Sequence, residues 1–335
     1  MHPARRAAIA AFVVIGAVVA RPARAQAPAR SAGPDLAAAG RLLEEGKAAA
    51  ARPAIAAAYA ANPRSGAAAF WMGRLLLGEN KASEAADRFE AAVKAEPNSS
   101  VYYTWLGRAY GSQAQKANML SKASLARKTK GAWEKAIALD PSNIEAREDM
   151  VEYYIQAPGM MGGSREKAMA EIAEIKKLDF VRGTLKEAQV HQRDKSWAEA
   201  EKAIAAGLAQ RPDTQPLVYA LGYLYQGQQQ WDKAFEHFER RLKTHPDEPN
   251  ALFQVGRTGA MSGQRLDRAE QALSAYLKLA PAAKDLPQPF AAHYRLGQVL
   301  EHRGDKARAK AEYQTAVQLN PQFKPAQDAL KKIGG

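Results

Sequence analysis

The side chains able to do chemistry are sparse and scattered along this chain. Six histidines occur, His2, His191, His237, His245, His293 and His302. None stands in the His-x-x-x-His spacing that would put two ring nitrogens on one helical face for a metal. There is no cysteine, so thiolate ligation, thiol nucleophiles and disulfides are all excluded. Ser164-Arg165-Glu166-Lys167 has the Ser-x-x-Lys spacing of an acyl-transfer nucleophile. The Lys-Thr-Gly element and the strand scaffold of that chemistry are missing, and Ser164 reads better as the N-cap of the helix "REKAMAEIAEI". No Gly-x-Ser-x-Gly, P-loop or Gly-x-Gly-x-x-Gly is present. With no converging acid, base and nucleophile, neither an enzyme nor a cofactor or metal site is expected.

Two irregular segments hold the remaining candidates. "QAPGMMGGSREKA", residues 156–168, places glycines before a helix start, where backbone N–H groups can hold an anion. Its methionines, Met160 and Met161, could also form an adaptable apolar contact. The plain reading is a longer turn whose methionines cover a neighbouring repeat. The second segment, "SQAQKANMLSKASLARKTK", is basic through Lys116, Lys122, Arg127, Lys128 and Lys130. It reads as a solvated helix face or as a contact for something acidic.

These segments interrupt a regular framework. Prolines at 63, 97, 141, 212, 246, 281 and 321 each close a similar phrase, such as "AAVKAEP", "KAIALDP" and "TAVQLNP". The steps 63→97 and 212→246 are 34 residues, 246→281 is 35, and 141→212 is 71, room for two repeats. Each phrase is preceded by a matching set. Examples are Met72-Gly73, Leu76, Ala85, Phe89 and Ala92, then Leu221-Gly222, Tyr225, Ala234 and Phe238, then Leu296-Gly297, Leu300, Ala309, Tyr313 and Ala316. Leu106-Gly107 with Tyr110, Trp133 and Ala136, and Val255-Gly256 with Ala269 and Leu273, follow with insertions. Weaker repeats end at Pro63, near Phe180 and at Pro212. This pattern resembles the tetratricopeptide repeat family.

The resemblance implies an all-α fold, a right-handed superhelical solenoid of about eight helix-turn-helix repeats over 35–321. The segment 322–335 forms a C-terminal capping helix with Ala326, Ala329, Leu330 and Ile333 on one side. Gly73, Gly107, Gly222 and Gly297 sit where two helices cross closely. Ala85, Ala234 and Ala309 keep the second helix near the first, while Phe89, Trp133, Phe238 and Tyr313 are expected to fill the space between successive repeats. Proline ends the second helix because it cannot donate the next backbone bond.

The resemblance also implies where a partner sits. First helices line the concave side in this family, through the residue after the Gly and the residue two before the Leu. Here these are Arg74, Arg108, Tyr223, Arg257 and Gln298, and Phe70, Thr104, Tyr219, Phe253 and Tyr294. In the fourth repeat the same face carries Glu145, Glu148 and Glu152, spaced to share one side of a helix. A groove with basic ends and an acidic middle suits an extended protein or peptide with acidic segments. The family's Lys/Asn clamp for a C-terminal carboxylate is not reproduced.

The N-terminus carries an address. "MHPARR", the apolar run "AAIAAFVVIGAVVA" and Ala23-Arg24-Ala25 before Gln26 form a secretory signal pattern over 1–25, with cleavage expected between Ala25 and Gln26. Residues 26–34 read as a flexible linker. The expected location is therefore periplasmic or otherwise exported, with no stable membrane anchor after cleavage. The net charge is +13, which favours acidic partners; in that compartment nucleic acid is not one of them. The reading is a non-catalytic exported scaffold that binds a protein or peptide through its groove. The alternative is a ligand-binding component of an envelope transport system, which a deep apolar pocket would support.

Overall fold

The computed structural model describes residues 34–279 and 286–334. The expected signal segment, all of the linker except Pro34, and Pro281 lie outside the described residues. Among the described residues there are seventeen α-helices, one short 3₁₀ turn and no strand. They fall into two compact blocks, residues 34–207 and 208–334, with α10 crossing the boundary.

The N-terminal block contains α1 (Pro34–Glu44), α2 (Ala48–Ala61), α3 (Gly66–Gly78), α4 (Ala82–Ala95), α5 (Ser100–Lys116) and α6 (Met119–Leu139). It continues through α7 (Ile144–Gln156), α8 (Arg165–Leu178), α9 (Phe180–Arg193) and α10 (Trp197–Gln210). The C-terminal block contains α11 (Gln215–Gly227), α12 (Trp231–Thr244), α13 (Pro249–Ser262), α14 (Leu266–Leu279), α15 (Pro289–His302), α16 (Lys306–Leu319) and α17 (Lys324–Gly334). Successive helices pack as pairs, α1 with α2 through α7 with α8 in the first block and α11 with α12 through α15 with α16 in the second, and α17 packs on α16 at the end. Ala326 of α17 is fully buried, and Ala329, Leu330 and Ile333 pack on the core, as the capping helix requires.

Five of the second helices end in the same way. Asn62, Glu96, Asp140, His245 and Asn320 precede the prolines, and all have φ between −133° and −145° with ψ between 72° and 95°. Proline imposes this by clashing with a helical residue before it. Asp179 adopts the same conformation without a following proline (φ −141°, ψ 99°), because its carboxylate accepts from Arg182 N and caps the next helix. The turn inside a pair repeats as well. Gly46, Asn80, Lys195, Gln229, Gly263 and Gly304 all have positive φ. All but Gly304 fall at whole 34-residue steps from another member, 46 and 80 in one set and 195, 229 and 263 in the other. A left-handed residue is needed there to reverse the chain in three residues.

Glycine and aromatic ring form the unit of packing within a pair. A Cβ on Gly73 would lie 2.8 Å from the Phe89 ring, one on Gly107 2.6 Å from Cδ1 of Trp133, and one on Gly297 2.5 Å from Tyr313. Gly222 faces Phe238 and Gly256 faces Leu273 in the same manner. This corrects the expectation that these rings chiefly fill the space between repeats. They cover the glycine of their own pair first; Phe89 then also reaches Trp105 of the next, at 6.3 Å between centroids.

A polar network ties three helices together in the N-terminal block. Asn143 caps α7 by accepting from Ala146 N at 2.9 Å and donates to Ser100 Oγ at 2.7 Å and Thr104 Oγ1 at 3.0 Å. Ser100 Oγ donates to Ala136 O on α6, and Trp133 Nε1 donates to Thr104 O at 3.0 Å. Every partner is satisfied locally, so the network fixes the angle between α5, α6 and α7 without leaving a buried donor idle.

Candidate functional site

In the N-terminal block the first helices present a row of charges that neutralise one another. Arg74 on α3 pairs with Glu44 of α1 at 3.2 Å, and its guanidinium lies over Trp105, 4.1 Å from the ring centroid. Burial lowers its pKa, and Glu44 offsets part of that shift. Arg108 on α5 lies over the same ring at 4.6 Å. It donates through Nε to Asp149 at 2.6 Å and through Nη2 to Glu145 at 3.3 Å. Arg182 on α9 makes a two-pronged contact with Glu148, at 2.7 and 2.5 Å. Glu152 receives Lys186 at 3.4 Å and Arg193 at 2.7 Å. Burial pushes the Glu152 carboxyl up, but Arg193 and Lys186 outweigh it and hold the pKa below its usual value. Asp149 goes the other way: burial carries it up to about 6 despite Arg108.

The acidic middle read from the sequence is thus an ion-paired layer, not an open negative strip. Glu145, Glu148 and Glu152 share one face as expected; α7 meets α5 through Glu145 and α9 through Glu148 and Glu152.

The C-terminal block differs. Arg257 on α13 and Arg295 on α15 are both half-buried, and among the described residues neither is in ion-pair contact with a carboxylate. Arg257 donates to Gln254 Oε1 at 3.3 Å and lies over Tyr223, 5.9 Å from its centroid. Arg295 donates to Gln298 Oε1 at 2.8 Å and lies over Tyr294 at 5.4 Å. Gln298 in turn donates to Tyr294 Oη at 3.1 Å. Burial lowers both guanidinium pKa values; for Arg295, burial and the nearby Arg257 charge together bring it down to about 10. Both groups remain cationic at neutral pH. The arrangement is a pair of oriented, partly desolvated forks with aromatic faces and amide groups around them, the geometry that holds an anionic oxygen pair.

The remaining expected groove residues divide by depth. Arg74, Arg108, Tyr223, Arg257, Tyr294, Gln298 and the three glutamates are half-buried on the helix faces. Phe70 (2 % exposed), Thr104 (1 %), Tyr219 and Phe253 are core residues, which corrects their expected place on the groove surface. Phe70 stacks on Tyr102 at 4.9 Å, Thr104 belongs to the Asn143 network, Tyr219 donates to Glu248, and Phe253 meets Tyr276 at 5.4 Å. At four of the five pairs the position two before the Leu is covered by neighbouring helices, Tyr294 being the half-buried exception, whereas the position after the Gly stays half-buried at the surface.

Arg295 and Gln254 were not among the sequence candidates, nor were the cations Arg182, Lys186 and Arg193. A signal existed for some of them. Glu148 and Arg182, Glu152 and Lys186, and Tyr223 and Arg257 are each 34 residues apart. Equivalent positions of adjacent pairs touch, so side chains one period apart can be matched by sign or by ring.

The glycine-rich segment holds no open anion site. The N–H groups of Met161, Gly162, Gly163 and Ser164 donate to Pro158 O, Gly159 O, Pro158 O and Tyr154 O. Ser164 Oγ accepts from Lys167 N, the expected cap. Met161 is half-buried, but Met160 is 92 % exposed, so it does not cover a neighbouring repeat. Among the described residues no cluster of His, Cys, Asp or Glu is placed to hold a metal, and no helix is long and apolar enough to cross a membrane. An open apolar cleft of about 630 Å³ lies beside α1 and α2, lined by Leu36, Ala39, Leu42, Ala54, Ala58 and Ala68 among others.

Tandem helix pairs held by a glycine and a ring define an interaction scaffold. Tetratricopeptide repeat models match residues 42–108, 219–284 and 290–323. The chain belongs to the tetratricopeptide repeat family, whose members bind protein or peptide partners. Among solved structures it is similar to yeast Tom70, at 14 % identity and a TM-score of 0.50, over 80 % of this chain and 56 % of that one. It is also similar to a thermophilic TPR protein of Thermus thermophilus, at 20 % identity and a TM-score of 0.47, over 57 % of this chain and 97 % of the other. A tetratricopeptide repeat protein of Parabacteroides merdae matches at 13 % identity and a TM-score of 0.45, covering 80 % and 98 % respectively. At such identities the likeness concerns fold alone. No curated protein matches the chain.

Proposed function

We propose that this protein is an exported, non-catalytic scaffold in the cell envelope that binds a protein partner through an acidic segment. Arg257 and Arg295 are its anchor. One observation carries the reading: these two guanidinium groups, half-buried on the neighbouring helices α13 and α15, have no carboxylate in ion-pair contact among the described residues, while the arginines of the N-terminal block have their acids built in. A cation held out of water without an acid is costly, and a partner's carboxylate would relieve that cost. Export rests on the signal pattern of residues 1–25. The apolar cleft beside α1 and α2 favours a second reading, a component that hands an apolar ligand to a transport system.

The test uses fluorescence anisotropy with a glutamate-rich peptide and a glutamine-rich control. Arg257→Gln with Arg295→Gln is expected to weaken the acidic peptide by at least ten-fold, consistent with about 1.5–3 kcal/mol for each charged hydrogen bond. Arg74→Gln should leave binding unchanged. Equal affinity of wild type and double variant, or equal affinity for both peptides, overturns the assignment.

A further inference from the structure

The longest hairpin projects a tip that the fold does not use. In α3 and α5 the packing glycine is the eighth residue of its helix, and α5 runs on for four residues more than α3. In α4 and α6 the ring residues Phe89 and Trp133 are eighth and fifteenth, so the seven additional residues of α6 precede its packed part. Both extensions therefore lie at the same end, and at 1.5 Å per residue they overhang an ordinary pair by roughly 6–10 Å.

The tip is apolar at its apex and basic around it. Met119 and Leu120 open α6 and are 84 % and 88 % exposed. Lys116 and Lys122 flank them, and Arg127 and Lys128 follow two turns further along α6, all exposed. Lys116 reaches only a backbone oxygen, Asn80 O, and Lys128 lies over Tyr110. Among the described residues none of the four is in ion-pair contact with a carboxylate. From 97 to 133 the sequence contains no Asp or Glu at all. Helix stability does not account for this pattern: the first turn of α6 has no acid and carries Lys122, a cation at the end where the dipole disfavours it.

We infer that this hairpin tip is a docking point for an anionic lipid surface, with Met119 and Leu120 entering the headgroup boundary and the lysines among the lipid phosphates. A convex apex with two splayed apolar side chains suits a deformable interface, and long cationic side chains keep their charge at headgroup level. Lys116 and Lys122 beside an anionic leaflet act together, with Arg127 and Lys128 behind them adding less, since the attraction fades within a Debye length. An acidic protein would be attracted by the same charge, but it would need a concave counterpart for the apex.

The chain has no cysteine, so Ser121→Cys in the full-length protein gives one labelling site on the tip. With a polarity-sensitive dye there, vesicles of phosphatidylcholine mixed with phosphatidylglycerol should shift the emission to the blue. Pure phosphatidylcholine should not, and high salt should reverse the shift. Adding Lys116→Glu with Lys122→Glu, or Met119→Ser with Leu120→Ser, should reduce vesicle affinity at the label by at least ten-fold, with the circular dichroism spectrum unchanged. The label reads the tip itself, whatever the N-terminal segment does. No shift with anionic vesicles, an equal shift with neutral ones, or an equal response in both variants overturns the proposal. So does a shift produced by soluble polyglutamate but not by vesicles, which would assign the tip to an acidic protein.

Discussion

Changing Gly107 to alanine sets two opposing effects against each other within one hairpin. In a helix interior alanine is favoured over glycine by about 1 kcal/mol. At Gly107 the new Cβ would lie 2.6 Å from Cδ1 of Trp133, whose ring is 8 % exposed and has little room to move. Such overpacking costs about 1–3 kcal/mol. Moving the indole also threatens its bond from Nε1 to Thr104 O, and an unsatisfied buried donor costs about 1–3 kcal/mol. Sterics and the lost bond exceed the propensity gain, so Gly107→Ala should destabilise by about 1–5 kcal/mol. Gly131, in the middle of α6, is exposed with nothing within 4 Å of its Cβ direction. Gly131→Ala should therefore stabilise by up to about 1 kcal/mol. The assay is urea unfolding of both variants and wild type, followed by helical circular dichroism and tryptophan emission in parallel, because a repeat array need not unfold in one step. If Gly107→Ala is as stable as wild type or more so, the ring-on-glycine account of the pair is wrong.

Three other outcomes are expected. Asn143→Ala removes a cap and the donor to Ser100 and Thr104, and should cost about 1–3 kcal/mol in the same urea experiment. Gln229→Gly relieves a non-glycine residue at φ 58° and should raise stability by about 0.5–1 kcal/mol, measured as a higher melting temperature. Asp149 binds its proton more tightly in the folded state, at about 6 against 3.8, so its favourable contribution is complete below pH 3.8 and is lost as pH rises through 6. Lowering the pH from 7 to 4 should thus stabilise wild type relative to Asp149→Asn, by at most about 3 kcal/mol at 1.36 kcal/mol per pKa unit; a wild type that gains nothing, or loses stability, relative to the variant over this range would contradict the burial of that carboxyl.

Much of the architecture was legible because it rests on period and on residue shape. Prolines at fixed steps force the preceding residue out of the helix, and a glycine ahead of a ring needs only steric exclusion to place two helices in contact. The sequence also placed Ser164 as a cap and α17 as the final helix, both set by local chemistry. Depth was not legible. Phe70, Thr104, Tyr219 and Phe253 occupy a helical position that can face outward, and only the stacked neighbours determine that it is covered. Charge was misread for the same reason. Glu145, Glu148 and Glu152 look like an acidic strip along one helix, but Arg108 from α5 and Arg182, Lys186 and Arg193 from α9 meet them across the stack. Arg257 and Arg295 look like their counterparts in the sequence, yet among the described residues no acid pairs with them. By itself the sequence determined the helices, their ends and their pairing, since those depend on neighbours within one period. Tertiary structure decided which charges are cancelled, because that depends on which side chains from successive helices share a few ångströms of space.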